Sequence, residues 1–287
     1  MTPNTDVLNR YLFDGMHARG ELVQLHHTFK DIIDGHNYSD GVKALLGELL
    51  AATCLLTATL KFEGEIAVQL QGKGPVSYAV INGTHDQIMR GIAKVNEETS
   101  ATGLENLIGK GTMVITIRPD KGEPYQGVVL LDKPTVAECL AQYFETSDQI
   151  PTSLWLFTDI KKETVGGALV QLLPDSGNKE QQMSDYDHLC QLTNTIKPNE
   201  IFSLEAQDLL HRLYHAEEVR IFEPQSVSYS CSCSEEKCLN AISQFNPIEL
   251  KKLIEEQGNV SMTCDYCQTT YAFDESQLSS YLNEIKH

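Results

Sequence analysis

Residues 41–83 read GVKALLGELLAATCLLTATLKFEGEIAVQLQGKGPVSYAVING, and a change of period inside this stretch decides the fold class. Over residues 41–60 apolar side chains recur at Val42, Leu45, Leu46, Leu49, Leu50, Cys54 and Leu60. That spacing, in a segment poor in breakers, predicts a helix with a broad buried face. Cys54 lies in the stripe and reads as a small buried hydrophobe. Beyond Gly64 the period drops to two: Ile66, Val68 and Leu70 share one face, then Val76, Tyr78 and Val80.

Working outward, GTMVITIRP (111–119) aligns Met113, Ile115 and Ile117, and YQGVVLL (125–131) is expected to pair with it across a Pro119–Gly122 turn. TVAECLAQYFETS (135–147) reads as a helix after Pro134, with Cys139 near its apolar side. SLWLFTD (153–159) and GGALVQLLP (166–174) read as a further pair of strands. Strands clustered among helices, without a βαβ rhythm, define an α+β domain, assigned to residues 1–175.

The composition turns polar after Pro174. DSGNKEQQMSDYDH (175–188) reads as a boundary or the exposed start of a helix. Residues 204–219 read as a helix with Leu204, Leu209, Leu213 and Val219 on its apolar face. Much of the segment 176–230 is charged, so it gains little by burial and is expected to be a metastable, mainly helical linker. In the tail, 231–287, NPIEL starts a helix: Asn246 caps, Pro247 takes the first helical position and Glu249 the capping-box position. It is expected to bury Leu250, Leu253 and Ile254 and to stop near Gly258.

At 287 residues, 41% hydrophobic and 22% charged, the composition is that of an ordinary globular protein. MTPNTDVLNRYLFDG (1–15) lacks the basic start and apolar run of a secretion signal. No segment approaches a continuous apolar membrane span, so no membrane partner is expected. The reducing cytoplasm is the expected compartment, where clustered cysteines point to metal or redox chemistry. A net charge of −18 repels phosphate backbones, and no basic, aromatic-interleaved patch offsets it. No nucleic-acid partner is expected.

Five of the eight cysteines fall in CSCSEEKC (231–238) and CDYC (264–267). Cys231 and Cys233 form C-x-C, and Cys264 and Cys267 form C-x-x-C. Four thiolates from two short loops can surround one zinc ion tetrahedrally at about 2.3 Å. Cys238 is a fifth thiol, an alternative to Cys233 as ligand that reads more simply as a spare. A tail this short has a marginal core, whereas a structural zinc contributes about 10–16 kcal/mol, so metal removal is expected to unfold it. Were each pair converted to a disulfide, the metal would be lost. A C-x-x-C bridge closes easily; residues i and i+2 of an extended chain are poorly placed, so C-x-C closure demands rearrangement.

Rival readings are weaker. A thiol oxidoreductase would carry C-x-x-C at a helix start, whereas QTTYAF (268–273) after Cys267 reads as a strand. A zinc-stabilised structural or nucleic-acid-associated binding module fits the spacing, but here the cysteines stand in acidic surroundings. His211 and His215 are four apart yet lack a zinc protease's intervening glutamate and a third ligand. QGKGPVSY (71–78) and LIGKGT (107–112) lack phosphate-loop spacing and read as turns. Arg19 and Glu21 are expected to form a surface ion pair. No constellation for turnover emerges, and the chain reads as a non-enzyme.

The sequence resembles the Hsp33 family of redox-regulated molecular chaperones. The resemblance is carried by Cys231-Ser-Cys233, Cys264-Asp-Tyr-Cys267 and the following TTYAF, and upstream by RYLFDGMHARGELVQL, INGTHDQIMRGIAKV, GKGTMVITI, YQGVVLL and GGALVQLLP. It implies an α+β N-terminal domain, a mainly helical linker and a small C-terminal zinc-binding domain that senses oxidants. It further implies one zinc ion per chain in the reduced, inactive state. On oxidation it implies disulfides Cys231–Cys233 and Cys264–Cys267, zinc release and linker unfolding. The implied activity is that of an ATP-independent holdase, a homodimer when active, which binds unfolding client proteins and passes them to ATP-dependent chaperones.

Overall fold

The computed structural model describes residues 5–59, 63–174 and 177–282. The change of period after residue 60 is the junction between a central helix and a sheet. Leu60 itself lies outside the described residues. By its internal contacts the chain divides into two units, Met1–Ser230 and Cys231–His287.

In the first unit one sheet runs in the order β10-β1-β2-β9-β8. Its strands are β1 (Val7–Phe13), β2 (Ala18–Leu25), β8 (Thr152–Asp159), β9 (Thr164–Leu172) and β10 (Val219–Ile221), with β11 (Gln225–Ser226) also paired to β1. The second sheet runs β12-β5-β4-β3-β6-β7. It comprises β3 (Gly64–Gly72), β4 (Val76–Thr84), β5 (Ile88–Val95), β6 (Gly111–Pro119), β7 (Tyr125–Leu130) and β12 (Ser228–Tyr229). Helices α1 (His27–Ile33), α2 (Asp40–Thr59), α3 (Leu104–Ile108) and α4 (Val136–Tyr143) complete a mixed α+β architecture. α2 is long and apolar enough to cross a membrane, yet fourteen of its residues are buried inside the protein. Its Leu45, Leu46, Leu49 and Leu50 share one core with Val23 and Leu169 of the first sheet and Val68 and Ile115 of the second.

Two expectations about these strands need correction. In β4 the face read as Val76, Tyr78 and Val80 is broken by an irregularity in register between Val76 and Tyr78. An extra residue shifts the alternation, so Ala79 and Ile81 join Val76 in the core and Tyr78 is half-exposed. Arg19 and Glu21 do approach to 4.0 Å, but not at the surface: Glu21 is 1% exposed. Burial pushes its carboxyl up to about 7 against the pull of Arg19 and Arg10.

Residues 178–214 cover the other face of the first sheet. α5 (Lys179–Thr193), α6 (Pro198–Ile201) and α7 (Ala206–Tyr214) pack Tyr186, Leu189, Ile201, Leu209, Leu210 and Leu213 against Tyr11, Phe13, Leu22 and Val170. The charged composition of this segment therefore misleads about burial, because its charges sit on the outward faces while the apolar residues form an inward stripe. The helix read over 204–219 ends at Tyr214, and Val219 lies in β10 opposite Phe13. Tyr214 stacks edge-on to Phe13 at 4.8 Å, and its hydroxyl meets Thr193 Oγ1 at 2.6 Å. Gln24 Nε2 donates to the carbonyls of Ile201 (2.7 Å) and Leu204 (2.9 Å), tying the segment to β2.

The second unit contains α8 (Glu235–Ile242), α9 (Pro247–Gln257), the hairpin β13 (Val260–Thr263) and β14 (Thr270–Phe273), and α10 (Glu275–Leu282). Asn246 caps α9 by accepting from the Ile248 amide at 2.9 Å, and Gly258, at φ 80°, ends it in the left-handed region. Leu250 and Ile254 are buried, one turn apart, but Leu253 is 38% exposed. The inward stripe of this short helix is narrow and leaves Leu253 beside it. With Cys238, Ile242, Phe273 and Leu278, the two buried residues form a small apolar cluster.

Candidate metal centre

Two loops bring the four predicted sulfurs together. The first is Cys231–Cys233. Ser234 accepts from the Lys237 amide at 3.2 Å to start α8, and Lys237 Nζ donates to the Ser232 carbonyl at 2.6 Å, folding the C-x-C segment back on the helix. The second loop joins β13 to β14. Within it the Cys264 amide donates to the Thr269 carbonyl (2.9 Å) and the Gln268 amide to the Cys264 carbonyl (2.9 Å), with Gln268 at φ 58° closing the turn. Thr263 and Thr270, opposite each other, share a hydroxyl bond of 2.9 Å at its base.

The Sγ atoms of Cys231, Cys233, Cys264 and Cys267 all lie within 4.8 Å of one another, and each residue is half-buried. Across the two loops, Cys231 Sγ lies 3.6 Å from Cys264 Sγ and Cys233 Sγ lies 3.4 Å from Cys267 Sγ. A tetrahedral set of bonds of about 2.3 Å places sulfurs about 3.8 Å apart, so this four-cysteine cluster is able to coordinate a metal ion. None of the cysteines is in a disulfide.

The sulfurs are not equivalent. Burial pushes Cys231 up to about 12, helped by hydrogen bonds shared with its neighbours. Burial likewise raises Cys264, although the Cys267 and Tyr266 amides pull against it. At Cys267 burial is outweighed by the Thr269 hydroxyl and amide and by Cys233 and Cys231, which bring it down to about 6. The cluster thus shares its protons unequally, and hydrogen bonding favours the ionised form most at Cys267.

Cys238 is outside the cluster, on α8 and 7% exposed, where burial raises its thiol. Cys54 and Cys139 are buried in the main core. His211 and His215 are exposed, at the end of α7, and no metal-binding group among the described residues includes them. Two residues near the sulfurs escape a reading of the sequence. Tyr271 Oη is 3.3 Å from Cys233 Sγ, and Thr269 Oγ1 is 3.3 Å from Cys267 Sγ. Their only sequence signal is a run of hydroxyl-bearing residues directly after the C-x-x-C.

Fold and site define an α+β protein with a separate tetrathiol unit. The Hsp33 protein family profile matches residues 6–274. The 33 kDa chaperonin of Colwellia psychrerythraea is 64% identical over 286 residues, covering 98% of this chain and 99% of the relative. That of Shewanella oneidensis is 53% identical over 276 residues, covering 96% and 95%. The crystal structure of the 33 kDa chaperonin of Thermotoga maritima superposes with a TM-score of 0.82 at 23% identity, covering 97% of this chain and 98% of that one, and so shares its fold. The chain belongs to the Hsp33 family, whose members are redox-regulated chaperones and not enzymes.

Proposed function

We propose that this chain is an ATP-independent holdase, switched on by oxidation of its tetrathiol unit. The observation that carries the reading is the convergence of Cys231, Cys233, Cys264 and Cys267 within 4.8 Å. A zinc ion held by these four, one per chain, would supply folding free energy of about 10–16 kcal/mol to a unit whose own apolar cluster is small. Two-electron oxidation of either pair turns two thiolates into a disulfide that no longer serves as a ligand pair. With hypochlorous acid as oxidant, one thiolate takes up chlorine and releases hydroxide; the second thiolate then displaces chloride and forms the S–S bond. The expected products are Cys231–Cys233 and Cys264–Cys267. Closing either pair within its own loop gives up the cross-loop sulfur contacts of 3.6 and 3.4 Å that join the two loops.

The end of the linker offers a route for the signal. Immediately before Cys231, the Ser228 and Ser230 amides donate to Gln87 (3.0 Å) and Met89 (3.1 Å), and β10 to β12 are only two or three residues long. Pairings this short open readily once the chain beyond them is disordered. Release of residues 178–214 then uncovers Tyr11, Phe13, Leu22, Ala168 and Val170, an apolar sheet face suited to unfolding clients. The active form is a homodimer in the cytoplasm that later passes clients to ATP-dependent chaperones. The test is light scattering of a thermally unfolding client without ATP. Oxidised, metal-free protein is expected to suppress aggregation and reduced, zinc-loaded protein to do so poorly; equal activity in both states removes the switch.

A further inference from the structure

We propose that Tyr271 and Thr269 are positioning residues of the tetrathiol site, each donating its hydroxyl hydrogen to one sulfur once that sulfur has lost its proton, and slowing oxidation of the pair it touches. Tyr271 Oη lies 3.3 Å from Cys233 Sγ, with either atom able to donate, and the protonated Cys267 thiol donates to Thr269 Oγ1 at 3.3 Å. A metal-bound or ionised cysteine has no proton to give, so in that state the hydroxyl must be the donor. Each pair thereby receives one such bond: the C-x-C pair through Cys233, the C-x-x-C pair through Cys267. Both donors come from one side of the second loop and the start of β14, held by the Thr263–Thr270 bond and the Cys264–Thr269 backbone bond. The Tyr271 ring also packs against the apolar cluster, which fixes its hydroxyl before any ligand arrives.

The consequence is chemical. An oxidant is an electrophile that attacks a sulfur lone pair, and a donated hydrogen bond withdraws charge from that sulfur and lowers its nucleophilicity. In the first step the thiolate gives two electrons to the oxidant and becomes an electrophilic sulfur. In the second its partner thiolate attacks, forming S–S and expelling the leaving group. Removing the hydroxyl speeds the first step at one pair and not at the other. Partners outside the ligand shell also hold ligands in place, and their loss typically costs about 10–100-fold in metal affinity.

The inference rests on the zinc-switch reading for its physiological meaning, and the test separates the two. Full-length reduced, zinc-loaded protein is compared with Tyr271→Phe, Thr269→Val and Thr269→Ser. Zinc affinity is read by competition with a chromophoric chelator. Initial oxidation of each pair by hypochlorous acid is read by differential alkylation and mass spectrometry. Tyr271→Phe is expected to weaken zinc by about tenfold and to speed loss of Cys231 and Cys233 thiols several-fold over Cys264 and Cys267. Thr269→Val is expected to show the mirror pattern, and Thr269→Ser, which keeps the hydroxyl, to match the parent. Unchanged rates, or equal acceleration of both pairs in both variants, overturns the proposal. Parent protein whose zinc loss fails to raise client protection would sink the switch reading and leave the pairwise rates as an independent result.

Discussion

Loosening α7 without touching the cysteines should turn the chaperone on in its reduced form. Leu209 is fully buried and Leu213 is 4% exposed, both packed toward the first sheet. A buried Leu→Ala change costs about 2–5 kcal/mol, part lost transfer energy and part cavity. The cost applies only while the helices are docked, so it shifts the docked–undocked balance directly. Taking about 3 kcal/mol for one substitution, the undocked fraction rises on the order of 100-fold, since about 1.4 kcal/mol is a factor of ten. A linker undocked about 0.1% of the time would then be undocked about 10% of the time. Leu209→Ala and Leu213→Ala would be assayed reduced and zinc-loaded, by client light scattering, by hydrogen exchange over residues 179–214 and by zinc content. The expected result is faster exchange, retained zinc and measurable client protection. Fast exchange and retained zinc without protection would refute the claim that the covered face binds clients.

Three further outcomes follow from the structure. Chelating the metal should unfold the second unit and release the linker helices while the two sheets and α2 stay folded, seen as loss of amide protection after residue 231 and over residues 178–214 but not in the sheets; a protected metal-free second unit would show that the apolar cluster suffices. Cys238→Ser should retain four sulfur ligands by zinc K-edge spectroscopy, since Cys238 stands outside the cluster, whereas loss of one sulfur would make it a ligand. The Glu21 carboxyl rises from 4.5 to about 7 in the fold, so the folded state keeps its proton longer than the unfolded chain. This favours folding at pH 4 relative to pH 8, and stability falls as pH rises through that window, by on the order of 3 kcal/mol. Glu21→Gln, which cannot ionise, should therefore raise the unfolding midpoint of the first unit at pH 8 relative to the parent more than at pH 4; an identical pH dependence in both proteins would count against the buried-carboxyl account.

What is legible in the sequence follows from how many faces each element buries. Residues 64–72 and 111–119 alternate because one face meets the core, and the alternation identifies them as strands. β1 and β2 carry no such signal. They are covered by the main core on one side and the linker helices on the other, so nearly every residue of β2 is buried and no alternation survives. β10 to β12 are too short to show a period. Charge counting hides the inward stripe of α7, which only its spacing reveals. At the site, spacing suffices to single out four cysteines, because thiolates converging from two loops leave a pattern in the chain. Tyr271 and Thr269 leave only a run of hydroxyl-bearing residues that does not say which of them meets a sulfur, since a hydroxyl beside a sulfur depends on hairpin register.

Thiol oxidation, metal loss, linker release and client protection are expected to be one coupled event. The most direct measurement follows all four in a single oxidation time course: disulfide mapping, zinc release, hydrogen exchange over residues 179–214 and client light scattering. Protection is expected to rise with zinc release and linker exchange and to reverse when reductant and zinc are restored. Full client protection while zinc is still bound and the linker still protected from exchange would contradict it.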